Sequence, residues 1–350
     1  MADASAFKRL TGIDLDRPGK QSSSITIPVR GRPPIQLPIT LVRRSPGPLV
    51  LFTGGSHGDE FEGPTALFNL ARELTPSDLK QGGVILMPVI NPPAIAAGTR
   101  NSPIDGKNLN RVFPGKAKGT ACERIAHAIV SGILPHVVAL IDLHAGGQAE
   151  MIVPSMMVHK FKDPGRMQAT LAMMRAFCAP VGIVIKEFET PGMIGTTAER
   201  MGLLFGVCEL GGAGMMTPET VAVAETGVRN ILKHFEIMPG DLEVATWCGS
   251  RHVRVAEALS GNHYVFANAA GIFEPFIHLN QRVAAGEALG QIHYLSSPRR
   301  APAVQRAKLS GFAYVLHSFG LIERRKVVAI VAKERRRSTA SVSNPSSSKG

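Results

Sequence analysis

The turn "TGGSHGDEFEGPTALF", Thr53 to Phe68, sets His57 and Glu60 three residues apart, between an apolar run and a segment of helical spacing. In a turn, that spacing lets an imidazole nitrogen and a carboxylate oxygen converge on one cation at about 2.0 to 2.2 Å, the distances of zinc coordination. Such pairs also arise by chance, so this one needs a partner elsewhere in the chain. The stretch "VVALIDLHAGG" supplies it: His144 closes a strand that is apolar on both faces, with glycines behind it. His57, Glu60 and His144 together leave one coordination position open, as in a catalytic zinc site rather than a structural one. Asp142 lies two residues before His144, on the same face of the strand. It could orient a ligand histidine, or be a buried, hydrogen-bonded acid. Asp59 and Glu62 read as capping groups or as supports of the ligands.

A third strand end, in "VCELGGAG", carries Glu209. A carboxylate there could take a proton from an activated water and pass it to a leaving amine; the plain alternative is a surface glutamate capping the next segment. Between these motifs runs "NPPAIAAGTRNSPIDGKNLNRVFPG". Arg111 offers a planar guanidinium fork and Asn110 an amide, a combination suited to a carboxylate. Arg100 could stabilise the oxyanion of a tetrahedral intermediate. Alone, the loop would read as solvated surface, but metal-ligand candidates bracket it.

These residues need a scaffold that brings strand ends together. "IQLPITLVRR", "GPLVLFTGG", "GVILMPVIN", "VVALIDLH", "GIVIKEFE" and "LLFGVCELGG" read as strands. "GPTALFNLARELT", "ACERIAHAIVSGILPH", "PGRMQATLAMMRAFCAPVG", "TTAERMG" and "TPETVAVAETGVRNILKHF" read as helices. The alternation predicts an α/β fold, a mostly parallel or mixed sheet with helices on both faces and a site beyond the carboxyl ends of the strands. Residues 1–240 are expected to form this catalytic domain, after an irregular start. From residue 241 the helical patterns stop, and 241–332 reads as a small all-β domain. Its phrase "GIFEPFIHLNQRVAAGEALGQI" has the barrel-sandwich pattern, but no lysine stands at the hairpin tip as a carrier would need. A structural or substrate-covering role is expected instead. Residues 333–350 are Ser-rich and basic and are expected to be a disordered tail.

Composition narrows the class further. The 350 residues are 44% hydrophobic and carry a formal charge of +12, of which +4 falls on 333–350. With aromatics at 5% and no nucleic-acid motif, the charge reads as a solvated basic surface and not as a nucleic-acid partner. No apolar stretch approaches the roughly 18 to 20 residues of a membrane span, and the N-terminus lacks a signal-peptide core, so no membrane association and a cytoplasmic location are expected. Cys122, Cys178, Cys208 and Cys248 have no CxxC spacing, which argues for reduced thiols over a disulfide framework or a thiolate metal site. A homo-oligomer is compatible with this reading.

In their order, "GGSHGDEFEG", "NLNRVFPG", "DLHAGG" and "CELGGAG" resemble the succinylglutamate desuccinylase/aspartoacylase family, relatives of the zinc carboxypeptidases, over roughly Leu51 to Gly214. The resemblance implies one Zn2+ per chain on His57, Glu60 and His144. It implies that Arg100 polarises the scissile carbonyl, that Asn110 and Arg111 hold a substrate carboxylate, and that Glu209 is the general base. The activity implied is hydrolysis of an N-acyl amino acid amide. The wording is most similar to the branch that deacetylates N-acetyl-2,4-diaminobutyrate in ectoine degradation. Aspartoacylase or desuccinylase activity, a metallocarboxypeptidase and a non-catalytic zinc-binding sensor are the alternatives. Glu187 and Glu189, in "IKEFETPGMIGTTAER", are candidates for pairing with a substrate ammonium.

Overall fold

The computed structural model describes residues 3–185, 191–245, 253–258 and 260–335. The sheet that carries the site begins with β1 (Gly19–Ile27), β2 (Ile35–Arg43), β3 (Leu49–Gly54) and β4 (Gly83–Met87). It continues with β5 (Ala139–His144), β6 (Glu150–Ile152), β7 (Ser155–His159), β8 (Val181–Ile185) and β9 (Leu204–Glu209). The helices are α1 (Ala4–Thr11), α2 (Glu62–Glu73), α3 (Pro92–Ala97), α4 (Ala121–Gly132), α5 (Pro164–Phe177), α6 (Ile194–Arg200) and α7 (Pro218–His234). Strand order across this part is β1-β2-β4-β3-β5-β9-β7-β8. β4, β3, β5 and β9 run parallel, whereas β7 is antiparallel to β9 and parallel to β8. The sheet is therefore mixed, with helices on both faces.

Side chains along a strand alternate between faces, and the two cores follow that period. Leu51, Ile85 and Leu140 pack on one side with Phe7 of α1, Ile125 and Ile129 of α4, and Ile194 of α6. Val50, Phe52 and Ile141 pack on the other with Leu67 and Leu70 of α2, Phe177 of α5, and Val228 and Ile231 of α7. Burial on both faces accounts for the near-continuous apolar wording of the central strands.

The start of the chain is regular rather than irregular. Asp3 caps α1 by accepting the Ser5 backbone N–H, and β1 pairs antiparallel with β2 along its whole length. Ser-rich wording reads as loop, but on an edge strand the alternate residues face water. Only Ile25 and Ile27 of β1 are fully buried.

After residue 241 come β10 (Arg254–Ala258), β11 (Tyr264–Phe266), β12 (Gly271–Pro275), β13 (Arg282–Val283), β14 (Ala288–His293), β15 (Ala303–Arg306), β16 (Gly311–His317), β17 (Leu321–Ile322) and β18 (Val327–Glu334). β10 pairs in parallel with β8, and β18, β16 and β13 follow it, so these strands extend the large sheet. β15, β14, β12 and β17 form a second, four-stranded sheet. Val265, Phe273, Leu289, Ile292, Val328 and Val331 fill the space between the layers. This C-terminal region also grips the segment between β5 and β7. β6 pairs antiparallel with β16, and the Ser155 and Tyr314 hydroxyls meet at 2.7 Å in a buried contact. Cys122, Cys178 and Cys208 are buried; Cys248 lies outside the described residues. No described helix is long and apolar enough to cross a membrane.

Candidate active site

The turn after β3 is built by close approach. A Cβ on Gly58 would lie 1.9 Å from the Ala94 carbonyl oxygen, and the Gly58 N–H donates to the Thr99 carbonyl at 2.9 Å. Asn91 closes the other side, its side-chain amide donating to the Ser56 carbonyl at 3.0 Å. Gly63, in the first turn of α2, packs on Leu143, where a Cβ would come 2.6 Å from the leucine's own. The turn carrying His57 and Glu60 is thereby pressed against the end of β5, where His144 stands.

The three side chains meet there, each 4% exposed or less. Glu60 bridges the histidines: Oε1 is 2.7 Å from His57 Nδ1, and Oε2 is 2.7 Å from His144 Nδ1. One donor atom from each residue falls within 4.8 Å of the others. Each Nε2 faces an oxygen, Asn108 Oδ1 at 3.1 Å for His57 and Asp142 Oδ2 at 2.8 Å for His144. A ring that donates from Nε2 offers the Nδ1 lone pair inward. Two neutral imidazoles and a carboxylate are a donor set that zinc accepts, and the residues fit a divalent cation.

The electrostatics place a proton on His144, which an arriving cation would displace. Burial alone would raise the Glu60 carboxyl, but the charge of His144 and hydrogen bonds from both histidines hold it below the usual carboxylate range. Burial would depress His144, and Asp142 and Glu60 outweigh it, raising that imidazole well above its ordinary value. Asp142 is in turn held by Thr53, whose hydroxyl donates to Oδ1 at 2.7 Å from the neighbouring position on β3. Such outer partners typically tune metal affinity by about 10- to 100-fold. Asp142→Asn is expected to weaken zinc binding on that scale without lowering the melting temperature by more than a few degrees, measured by competition with a zinc chelator. Unchanged affinity would assign Asp142 to packing alone.

Glu209 reaches the same place through the sheet. His144 and Glu209 are register partners on the parallel strands β5 and β9, so their side chains leave the same face about 4.8 Å apart. Oε2 of Glu209 is buried without a hydrogen-bond partner among the described residues. Burial pushes this carboxyl well up, against the pull of the positively charged His144. A carboxylate raised in this way is a stronger base than one in water.

A cavity of about 210 Å³ joins seven of the residues singled out in the sequence: His57, Glu60, Arg100, Asn110, Arg111, His144 and Glu209. Arg100 is half exposed and donates to Glu60 Oε1 at 3.2 Å. Asn110 accepts the Ile194 N–H on Oδ1 at 2.9 Å, at the start of α6, which leaves its NH2 group for a ligand. Arg111 donates to the Asn110 carbonyl at 2.6 Å. Asp59 lies outside this wall and accepts the Gln148 N–H at 3.2 Å, tying the loop after β5 to the turn. Glu62 is buried at the head of α2, and burial pushes it up to about 7. Glu187 and Glu189 lie outside the described residues.

The cavity also contains residues not singled out above, chiefly Glu150 and His159. His159 ends β7 and pairs through Nδ1 with buried Glu199 at 2.8 Å. Its signal was the one that marked His144 and Glu209, a polar residue closing an apolar strand, but "SMMVH" is short and rich in Met. Asn108, which orients His57, gave only its place in "NLNR".

The profile of the succinylglutamate desuccinylase/aspartoacylase catalytic domain matches residues 46–235. The chain belongs to the succinylglutamate desuccinylase/aspartoacylase family. All seven site residues fall inside the stretch that matches this family's domain, and β10 to β18 lie beyond it. Among its members, the N-alpha-acetyl-L-2,4-diaminobutyric acid deacetylase of Halomonas elongata is 32% identical over 325 residues, 92% of this chain and 94% of that protein. A succinylglutamate desuccinylase/aspartoacylase from Rhodobacter sphaeroides superposes with a TM-score of 0.88 at 35% identity, covering 93% of this chain and 98% of the other. The product-bound ectoine utilization protein EutE (DoeB) of Ruegeria pomeroyi superposes with a TM-score of 0.87 at 34% identity, covering 92% and 98%.

Proposed function

We propose that this protein is a zinc-dependent deacylase that cleaves the amide bond of an N-acyl amino acid, with N-acetyl-2,4-diaminobutyrate as its substrate. The observation that carries the reading is the convergence of His57, Glu60 and His144 with the register-paired Glu209 in one small cavity. Similarity to the Halomonas elongata deacetylase and to EutE supports the choice of substrate.

His57, Glu60 and His144 would hold the ion, which when bound supplies Lewis acidity toward an amide carbonyl and toward water. Arg100 places a guanidinium beside the ligand set, where it stabilises negative charge developing on the carbonyl oxygen. Glu209 removes a proton from the attacking water and returns it to the nitrogen, so that the amine departs neutral as the C–N bond breaks. The amide NH2 of Asn110 and the guanidinium of Arg111 fix the amino acid's carboxylate and hold the scissile bond in place. In the same reading the chain divides near residue 241 into the part that cleaves the amide and a β part that covers it.

The test is hydrolysis of a panel of N-acyl amino acids, followed by quantifying the released carboxylic acid. N-acetyl-2,4-diaminobutyrate should exceed N-acetylaspartate in kcat/KM by about a hundredfold or more, on the order of 3 kcal/mol of transition-state stabilisation. A preference for N-acetylaspartate or succinylglutamate would move the substrate and leave the deacylase. No hydrolysis by the zinc-loaded protein would sink the reading.

A further inference from the structure

The substrate proposed above carries three features to be met: an amide, a carboxylate and a side-chain ammonium. Arginines and an asparagine serve the first two. A cation in a small cavity calls for a carboxylate, and the wall offers Glu60, Glu150 and Glu209. Glu60 belongs to the ligand set and Glu209 to the proton transfer. We infer that Glu150 is the residue that reads the side-chain ammonium of a diamino acid, an inference that rests on the deacylase reading.

Three observations support it. First, among the described residues no hydrogen bond or ion pair engages the Glu150 carboxylate; Arg100 and Lys326 act on it only through longer-range charge. Burial raises this carboxyl, so an arriving ammonium would stabilise its ionised form. Second, its backbone is clamped by the glycines that follow His144 and Glu209. A Cβ on Gly146 would stand 2.1 Å from the Glu150 carbonyl oxygen, and one on Gly212 2.2 Å from the same atom. The Glu150 N–H donates to the Gly146 carbonyl at 3.2 Å, and the Ala213 N–H donates to the Glu150 backbone carbonyl at 2.9 Å. The two glycine motifs therefore tie Glu150 to the ends of the strands that carry a metal-ligand candidate and the candidate base. Third, Glu150 opens β6, which is held from outside by β16, with His317 opposite Glu150. It also borders a groove lined by Phe319, Leu321 and Lys326, and so stands at the wall between the cavity and the C-terminal region.

The experiment compares Nα-acetyl-L-2,4-diaminobutyrate with Nα-acetyl-L-norvaline, its uncharged isostere, on the zinc-loaded full chain. Wild type should prefer the diamino substrate. Glu150→Gln should lower kcat/KM for it by about fiftyfold or more, mainly through KM, and change the norvaline substrate by no more than about threefold. Glu150→Asp keeps the charge and should retain part of the preference. Zinc content and melting temperature should match wild type in both variants. Glu187→Gln and Glu189→Gln should leave the preference in place.

Equal losses on both substrates in Glu150→Gln would make Glu150 structural and overturn the inference. So would an unchanged preference in that variant, or loss of the preference in either of the other two glutamine variants. A wild type that cleaves both substrates equally well also overturns it, while leaving the deacylase reading intact. A wild type that cleaves neither substrate nor any other N-acyl amino acid removes both.

Discussion

Alanine at both His57 and His144 is expected to leave the purified protein without zinc and without measurable hydrolysis, whereas wild type is expected to carry about one zinc per chain. Both rings are buried and aimed at Glu60, which holds one Nδ1 on each carboxylate oxygen at 2.7 Å. With both removed, Glu60 is a single carboxylate donor, too little to retain a divalent ion against a chelator. Metal analysis after dialysis against chelator measures the outcome directly, apart from activity. The variant leaves voids and strips both imidazoles from a buried carboxylate, so its melt is read alongside. Stoichiometric zinc in a folded double variant would refute this ligand set.

Glu209→Gln should do the opposite to the metal and nearly the same to the rate. The amide has the shape of the carboxylate, and Glu209 is not among the three converging donors, so zinc should remain at the wild-type level. What is lost is the proposed proton acceptor beside His144, and kcat should fall by at least about a hundredfold, the scale of general acid-base catalysis. KM should change little, because the interaction removed belongs to the transition state. Turnover near the wild-type rate would mean that another group moves the proton, and buried His159 in the same cavity would be the next to replace.

The residues legible in the sequence share a property. His144 and Glu209 each end an apolar strand and precede glycines, and His57 and Glu60 stand in a turn between a strand and a helix. Local wording places such residues at one edge of a parallel sheet, and the structure brings all of them to one cavity. What local wording could not show depends on pairing between distant segments. β6 is a three-residue strand whose existence rests on β16, so Glu150 gave no strand signal of its own. The part of Asn108 depends on a contact with His57 across intervening helix and strand. Composition misled at the start of the chain, where the polar residues of β1 are the outward half of an edge strand.

The pairing of β6 with β16 also bears on how the protein is made. During synthesis the ligand-bearing turn, β5 and β9 all leave the ribosome well before residues 315–317, which hold Glu150 in the cavity wall. A nascent chain can gather His57, Glu60, His144 and Glu209 early, because those contacts lie within the part already emerged. The pairing that completes the wall around them forms only when β16 arrives, since such sequence-distant pairings bear the larger loop-closure entropy. Metal capture and substrate discrimination would then mature at different moments of folding, the second waiting on the emergence of β16.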